Sequence, residues 1–136
     1  FCNKSFTLEC WALPERERVN YRAHMMLFGQ NAEHENGPHY AMHFGIFNYD
    51  EIGMRFNYND LNVQRTQAQL AGYHHYAFVY DHTRLKRKIF LDGNLVGSDT
   101  AKSHLLSSAR FMIGRSPWNV NDDWGGVIHD ARVWNV

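Results

Sequence analysis

The feature that most narrows the fold of this chain is alternation. Apolar residues recur at every second position in short runs: Phe6, Leu8 and Cys10; Tyr40, Met42, Phe44 and Ile46; Met54, Phe56 and Tyr58; Phe111 and Ile113. A strand turns successive side chains to opposite faces, so this spacing gives one dry face and one wet face, the pattern of half-buried antiparallel strands. The intervening Thr7, Glu9, His43, Arg55 and Asn57 then face outward, or line whatever concave face a second sheet leaves open. No stretch carries the apolar stripe of an amphipathic helix. His75 to Tyr80 is apolar on both faces, which places it at the centre of a sheet. Lys88 to Leu91, then Asp92-Gly93-Asn94, then Leu95 to Gly97 reads as a hairpin, because Asp-Gly supplies the positive φ values of a tight turn. The expected class is all-β and antiparallel.

Residues 30–38, 59–72, 99–108 and 115–125 read as irregular, and long loops on a β scaffold are where function usually sits. At 136 residues, 44% of them hydrophobic, the chain can build one core and has little room for two. Neither Phe1 nor Val136 looks like a natural terminus, so the expectation is a single domain, 1–136, truncated at both ends and belonging to a larger multidomain chain or assembly. No run of about 18 apolar residues occurs, and no membrane insertion is expected of this segment. Fourteen basic and fourteen acidic residues cancel, which speaks against nucleic acid as a partner. Cys2 and Cys10 would stand about 26 Å apart on one extended run, far beyond disulfide reach, so each is free or pairs outside this segment. Asn3-Lys4-Ser5 is a glycosylation sequon, compatible with secretion.

Five blocks in order resemble those of laminin-G-like and concanavalin A-like domains, pentraxins included: Ser5 to Trp11, His74 to Asp81, Ile89 to Gly93, Phe111 to Arg115 and Gly126 to Asn135. The resemblance implies a jelly-roll β-sandwich of two antiparallel sheets. It further implies an extracellular or cell-surface setting, a sugar or protein ligand, and often calcium. Trp11 and Trp134 are large enough to seal the ends of such a sandwich, and Ile128, out of phase with Ala131 and Val133, predicts a β-bulge near His129 and Asp130. The pentraxin pattern pairs a cysteine of the first block with one where this chain has Ala77, so the resemblance leaves Cys10 without that partner. It also sets acidic calcium ligands directly after the Ile-Gly block, where this chain reads Arg115-Ser116-Pro117. The strand that ordinarily precedes the Phe6 block is missing.

The best candidate for ligand contact is the loop from Arg115 to Trp124. Trp118 offers a ring face for a sugar, while Asn119, Asn121, Asp122 and Asp123 offer oxygens for hydroxyl groups; the plain alternative is that the acids cap a turn. Trp118 is expected to be exposed on a rim of the sandwich, and Trp124, against Gly125-Gly126, to be core. Asp122 and Asp123 are the candidate calcium ligands, with Glu33 and Glu35 as further oxygens toward the roughly six to eight that calcium takes. Arg84, Lys86, Arg87 and Lys88 form a candidate patch for an anionic partner, the alternative being a strand edge made unattractive to sheet addition.

Other chemistries find little footing. Retaining glucanases deliver two carboxylates about 5 Å apart from alternate positions of one strand. Asp50 and Glu51 are adjacent, and read as a solvated loop. His34 and His39 are separated by Gly37-Pro38, which no helix accommodates, and His39 and His43 would lie about 13 Å apart on a strand, so zinc is not expected. No Gly-x-Ser-x-Gly elbow supports a hydrolase triad. The sequence therefore points to a non-catalytic, lectin-like module that binds carbohydrate, or a glycosylated or charged partner, through rim loops. A structural domain that assembles with neighbouring chains is the alternative, and a glucanase-type hydrolase the third reading.

Overall fold

The computed structural model describes residues 1–15, 24–31 and 39–135. Its strands are β1 (Phe6–Pro14), β2 (His24–Gln30), β3 (Met42–Phe47), β4 (Glu51–Arg55), β5 (Asp60–Gln64), β6 (His74–Asp81), β7 (Lys86–Leu91), β8 (Asn94–Thr100), β9 (Phe111–Ile113) and β10 (Gly126–Asn135). They form two antiparallel five-stranded sheets, ordered β10-β1-β6-β7-β8 and β5-β4-β3-β2-β9. This is the jelly-roll sandwich expected from the sequence. Two short 3₁₀ turns, Gln67–Leu70 and Val120–Asp122, are the helical pieces among the described residues, and neither is long and apolar enough to cross a membrane.

The core lies where the alternation puts it. Phe6, Leu8, Cys10 and Ala12 of β1 and Tyr76, Phe78 and Tyr80 of β6 meet Phe28, Phe44, Met54 and Phe56 of the other sheet. Ring contacts cross the gap, Phe6 to Phe44 at 6.2 Å and Phe44 to Phe78 at 5.1 Å between centroids. β6 is the middle strand of its sheet, as its two-sided apolarity requires. The β7–β8 hairpin turns on Asp92 and Gly93, both at positive φ (51° and 78°), with Leu91 paired to Asn94. The β10 bulge also forms: pairing steps from Glu9–Arg132 to Trp11–His129, with Asp130 at a φ of 54°. Cys2 and Cys10 are free thiols, and burial, with Glu9 beside it, pushes Cys10 up to about 12.

Several local expectations are corrected. β2 was invisible to alternation because both its faces are covered, so Met25 to Phe28 form an unbroken buried run. β4 stops at Arg55; Asn57 and Tyr58 both take positive φ, and Tyr58 is turned out to solvent. Glu51 begins β4 rather than lying in a loop, and the stretch 59–72 holds edge strand β5, whose Leu61 and Val63 point inward. Trp11 and Trp134 do not seal the ends. Both stand partly exposed on the outer face of the first sheet, Trp11 stacked 6.4 Å from His129 and Trp134 donating its indole N–H to Glu9 at 2.9 Å. Opposite Cys10 stands Tyr76, while Ala77 faces Glu9.

One inward side chain is charged. Arg87 shares the phase of Ile89 and Leu91, and only 1% of it is exposed. Its guanidinium grips the Asp99 carboxylate of β8 through Nε (2.9 Å) and Nη2 (2.5 Å). Nη1 donates across the sandwich to the carbonyls of Asn59 (2.5 Å) and Met54 (3.3 Å), and the group sits 5.0 Å over the Phe56 ring. Arg87 is therefore a strut between the sheets.

Candidate functional site

The outward residues of the second sheet line up across its strands. Pairing sets Met112, Gly29, His43, Arg55 and Asp60 in one row from β9 to β5, and Met26, Gly45, Gly53 and Asn62 in the next. Gly45 and Gly53 are neighbours without side chains, so the floor between these walls is low. The Phe47 ring lies across that gap, close enough that a Cβ on Gly53 would stand 2.5 Å from it. Arg55 rests 3.6 Å above the same ring and bonds Asn62 (2.7 Å) and Glu51 (3.1 Å).

The loop after β9 folds back over this face. Gly114 donates to the Leu27 carbonyl at 2.8 Å, and Met26 bridges to Asp123. Gly29 permits the approach, since a Cβ there would meet the Arg115 carbonyl at 2.6 Å. The loop's own polar groups then fix its shape. Asp123 accepts from the Ser116 N–H (2.8 Å), Ser116 Oγ from the N–H groups of Trp118 and Asn119 (3.3 and 3.2 Å), and Asn119 Oδ1 from the Asn121 N–H (3.0 Å). Held this way, the Trp118 indole is half exposed and meets the His43 ring edge-on, 4.1 Å between centroids at 79°. His43 is buried with its Nε2 unpartnered; burial, then the charges of Arg55 and His24, bring its pKa down to about 4, so it is neutral in ordinary buffers.

The result is a pocket of about 270 Å³ lined by His24, His43, Arg55, Asp60, Trp118 and Asp122, among others. An aromatic wall with convergent polar groups suits a polyol: ring C–H groups against indole, hydroxyls on carboxylate, imidazole and guanidinium. Of the residues expected from the sequence, Trp118 and Asp122 meet here. Asn119 lines a separate groove on the other side of Trp118, Asn121 contributes its main chain to the loop, and Asp123 is occupied holding the loop together. The loop lies across the sheet face rather than on a rim, because β2 supplies the surface it packs on. Trp124 is buried in the core. His24 and Asp60 escaped the sequence reading, their signal being only the register of strands that it did not place.

Calcium does not fit what is present. Among the described residues no three His, Cys, Asp or Glu side chains cluster around a common point, and two carboxylates fall far short of a calcium shell. Glu33 and Glu35 lie outside the described residues. The basic patch is also dispersed: Arg87 is interior, Arg84 pairs with Asp81 at 3.0 Å, Lys86 bonds Thr100 at 2.5 Å, and only Lys88 is left open. Nor is β7 an edge, since that sheet ends at β10 and β8.

Residues 1–136 match the model of the concanavalin A-like lectin/glucanases superfamily. The chain belongs to this superfamily. Solved structures share its fold. The CBM40 module of the Ruminococcus gnavus IT-sialidase superposes with a TM-score of 0.74 at 16% identity, over 97% of this chain and 76% of that one. The native heptameric SAP-like pentraxin of Limulus polyphemus gives 0.67 at 13% identity, over 96% and 64%. Domains LG4-5 of the mouse laminin α1 chain give 0.66 at 10% identity, over 96% and 35%. The resemblance to laminin-G-like domains and pentraxins thus holds at the level of the fold. No curated protein sequence matches the chain.

Proposed function

We propose that this member of the concanavalin A-like superfamily is a non-catalytic carbohydrate-recognition module whose ligand sits in the pocket between the outer face of the second sheet and the Trp118 loop. The observation that carries the reading is the half-exposed indole of Trp118, braced on His43 at the mouth of a pocket with Arg55, Asp60 and Asp122 inside. A ring held at a fixed angle by a buried neighbour loses little freedom when a sugar stacks on it. The R. gnavus module, which shares the fold, is known bound to α2,6-sialyllactose. The setting that goes with such modules is outside the cell or at its surface.

Trp118→Ala is expected to weaken glycan binding by about 1–3 kcal/mol, roughly 5- to 150-fold in Kd, measured by calorimetry on a glycan chosen from an array. The fold should lose no more than the ~0.5–1.5 kcal/mol of one aromatic pair. Unchanged affinity with unchanged stability would remove this pocket from the function.

Catalysis would have to use Asp60 and Asp122, which come from a strand end and a loop turn rather than from alternate positions of one strand. No turnover of β-glucans is expected; hydrolysis abolished by Asp60→Asn or Asp122→Asn would replace the binding reading with an enzymatic one. The assembly reading has its own observation, the outer face of the first sheet, where Trp11, Leu95, Val127 and Trp134 stand in solvent. Light scattering showing a stable oligomer that Trp11→Ser dissolves would favour it.

A further inference from the structure

Two cavities share the Trp118 indole and Ser116 as a wall, and their charges differ. In the face pocket Asp60 and Asp122 outnumber Arg55, which already bonds Glu51 and Asn62. The groove on the other side, about 500 Å³, is lined by Arg110, Arg115, Asn31 and Asn119, with no carboxylate among its described lining residues. Neither arginine is engaged in a hydrogen bond or ion pair, whereas the guanidinium groups of Arg55, Arg84, Arg87 and Arg132 are all held by carboxylates. Asn31 adds an independent observation. It is only 8% exposed, yet both its amide oxygen and its amide nitrogen lack a partner. A buried amide with nothing to bond is costly, and it regains that energy when a ligand supplies a donor and an acceptor.

We infer that this groove is a subsite for an anionic group carried by a glycan, a carboxylate or a sulfate, so that the ligand of the domain is an acidic sugar chain. The inference rests on the carbohydrate reading above and adds the charge of the ligand to it. Guanidinium forks present paired N–H donors to carboxylate or sulfate oxygens, a geometry neutral hydroxyls do not use fully. The Asn31 amide can donate to the same anion or bond a hydroxyl beside it. The indole wall sets the order of the chain: a neutral ring in the face pocket, where carboxylates accept its hydroxyls, and the charged residue beyond Trp118. The notion of an anionic partner thus survives from the sequence, but moves from the Arg84–Lys88 run to Arg110 and Arg115.

The test is an array of matched neutral, sialylated, uronate-bearing and sulfated glycans, followed by calorimetry of the best acidic binder and its neutral parent at low and high salt. Wild type should prefer the acidic member by roughly tenfold or more, with the advantage shrinking as salt rises. Arg110→Gln/Arg115→Gln should abolish the preference while leaving neutral binding and the melting temperature unchanged, since both side chains are exposed. Preference for sulfated over carboxylated members, or the reverse, identifies the anion. Acidic and neutral members bound within about twofold, or a preference that survives the double substitution, would overturn the inference and leave the carbohydrate reading standing. Failure of every glycan on the array would overturn both.

Discussion

Replacing Arg87 by alanine should destabilise the domain by about 3–5 kcal/mol, the scale for breaking a buried, hydrogen-bonded charge pair from one side. The substitution leaves the Asp99 carboxylate without its bidentate partner and strips the donor from two carbonyls of the opposite sheet, at Asn59 and Met54. The Asn59 side chain is itself committed, bonding the Ser103 carbonyl at 3.0 Å and accepting from the Lys102 N–H at 3.0 Å, so slack at Arg87 reaches the 102–103 segment as well. Urea unfolding reads the effect as a shift in midpoint at constant m-value. Arg84→Ala, three residues away on the surface, should leave the midpoint in place. A loss below about 1 kcal/mol for Arg87→Ala would mean that water enters and replaces the strut.

Acid should weaken the fold through His43. Its pKa stands at 6.5 when unperturbed and falls to about 4 in the folded protein, so between these values the unfolded chain binds a proton that the native state refuses. Stability is therefore complete above pH 6.5 and drains as the pH falls toward 4, by roughly 3 kcal/mol in all. The groups that set this are local: His43 is desolvated under Trp118, with Arg55 from β4 and His24 from β2 opposing a further positive charge. His43→Gln keeps a polar group in the same place but cannot titrate. Its stability profile should lie flatter than wild type by that amount across the window, and parallel profiles would assign the acid sensitivity elsewhere.

The ease with which each part could be read follows from how many faces a strand buries. β1, with Phe6, Leu8, Cys10 and Ala12 inward and Thr7, Glu9 and Trp11 outward, announces itself. The turn at Asp92-Gly93 is equally plain, since few dipeptides accept two positive φ values. β2 is covered on one side by the core and on the other by the Trp118 loop, so its apolar run has no period to detect. Arg87 was misjudged for the opposite reason. The cations around it suggest a surface, and only its shared phase with Ile89 and Leu91 marks it as interior. In the site, Trp118 was legible because no alternation drives it inward. Its partners were not, because His24, His43, Arg55 and Asp60 sit on four strands and meet only through register, which a local pattern leaves unspecified.

Because the indole of Trp118 is common to both cavities, the two are thermodynamically linked. A ring that tilts to lie flat against a guest on one side withdraws that surface from the other, so two separate small ligands should compete even though their contacts hardly overlap, and the penalty must be mutual. A single chain passing around the indole escapes this conflict. Its second unit is delivered at the high effective concentration set by a glycosidic linkage, and affinity should therefore climb steeply from monosaccharide to disaccharide and little thereafter.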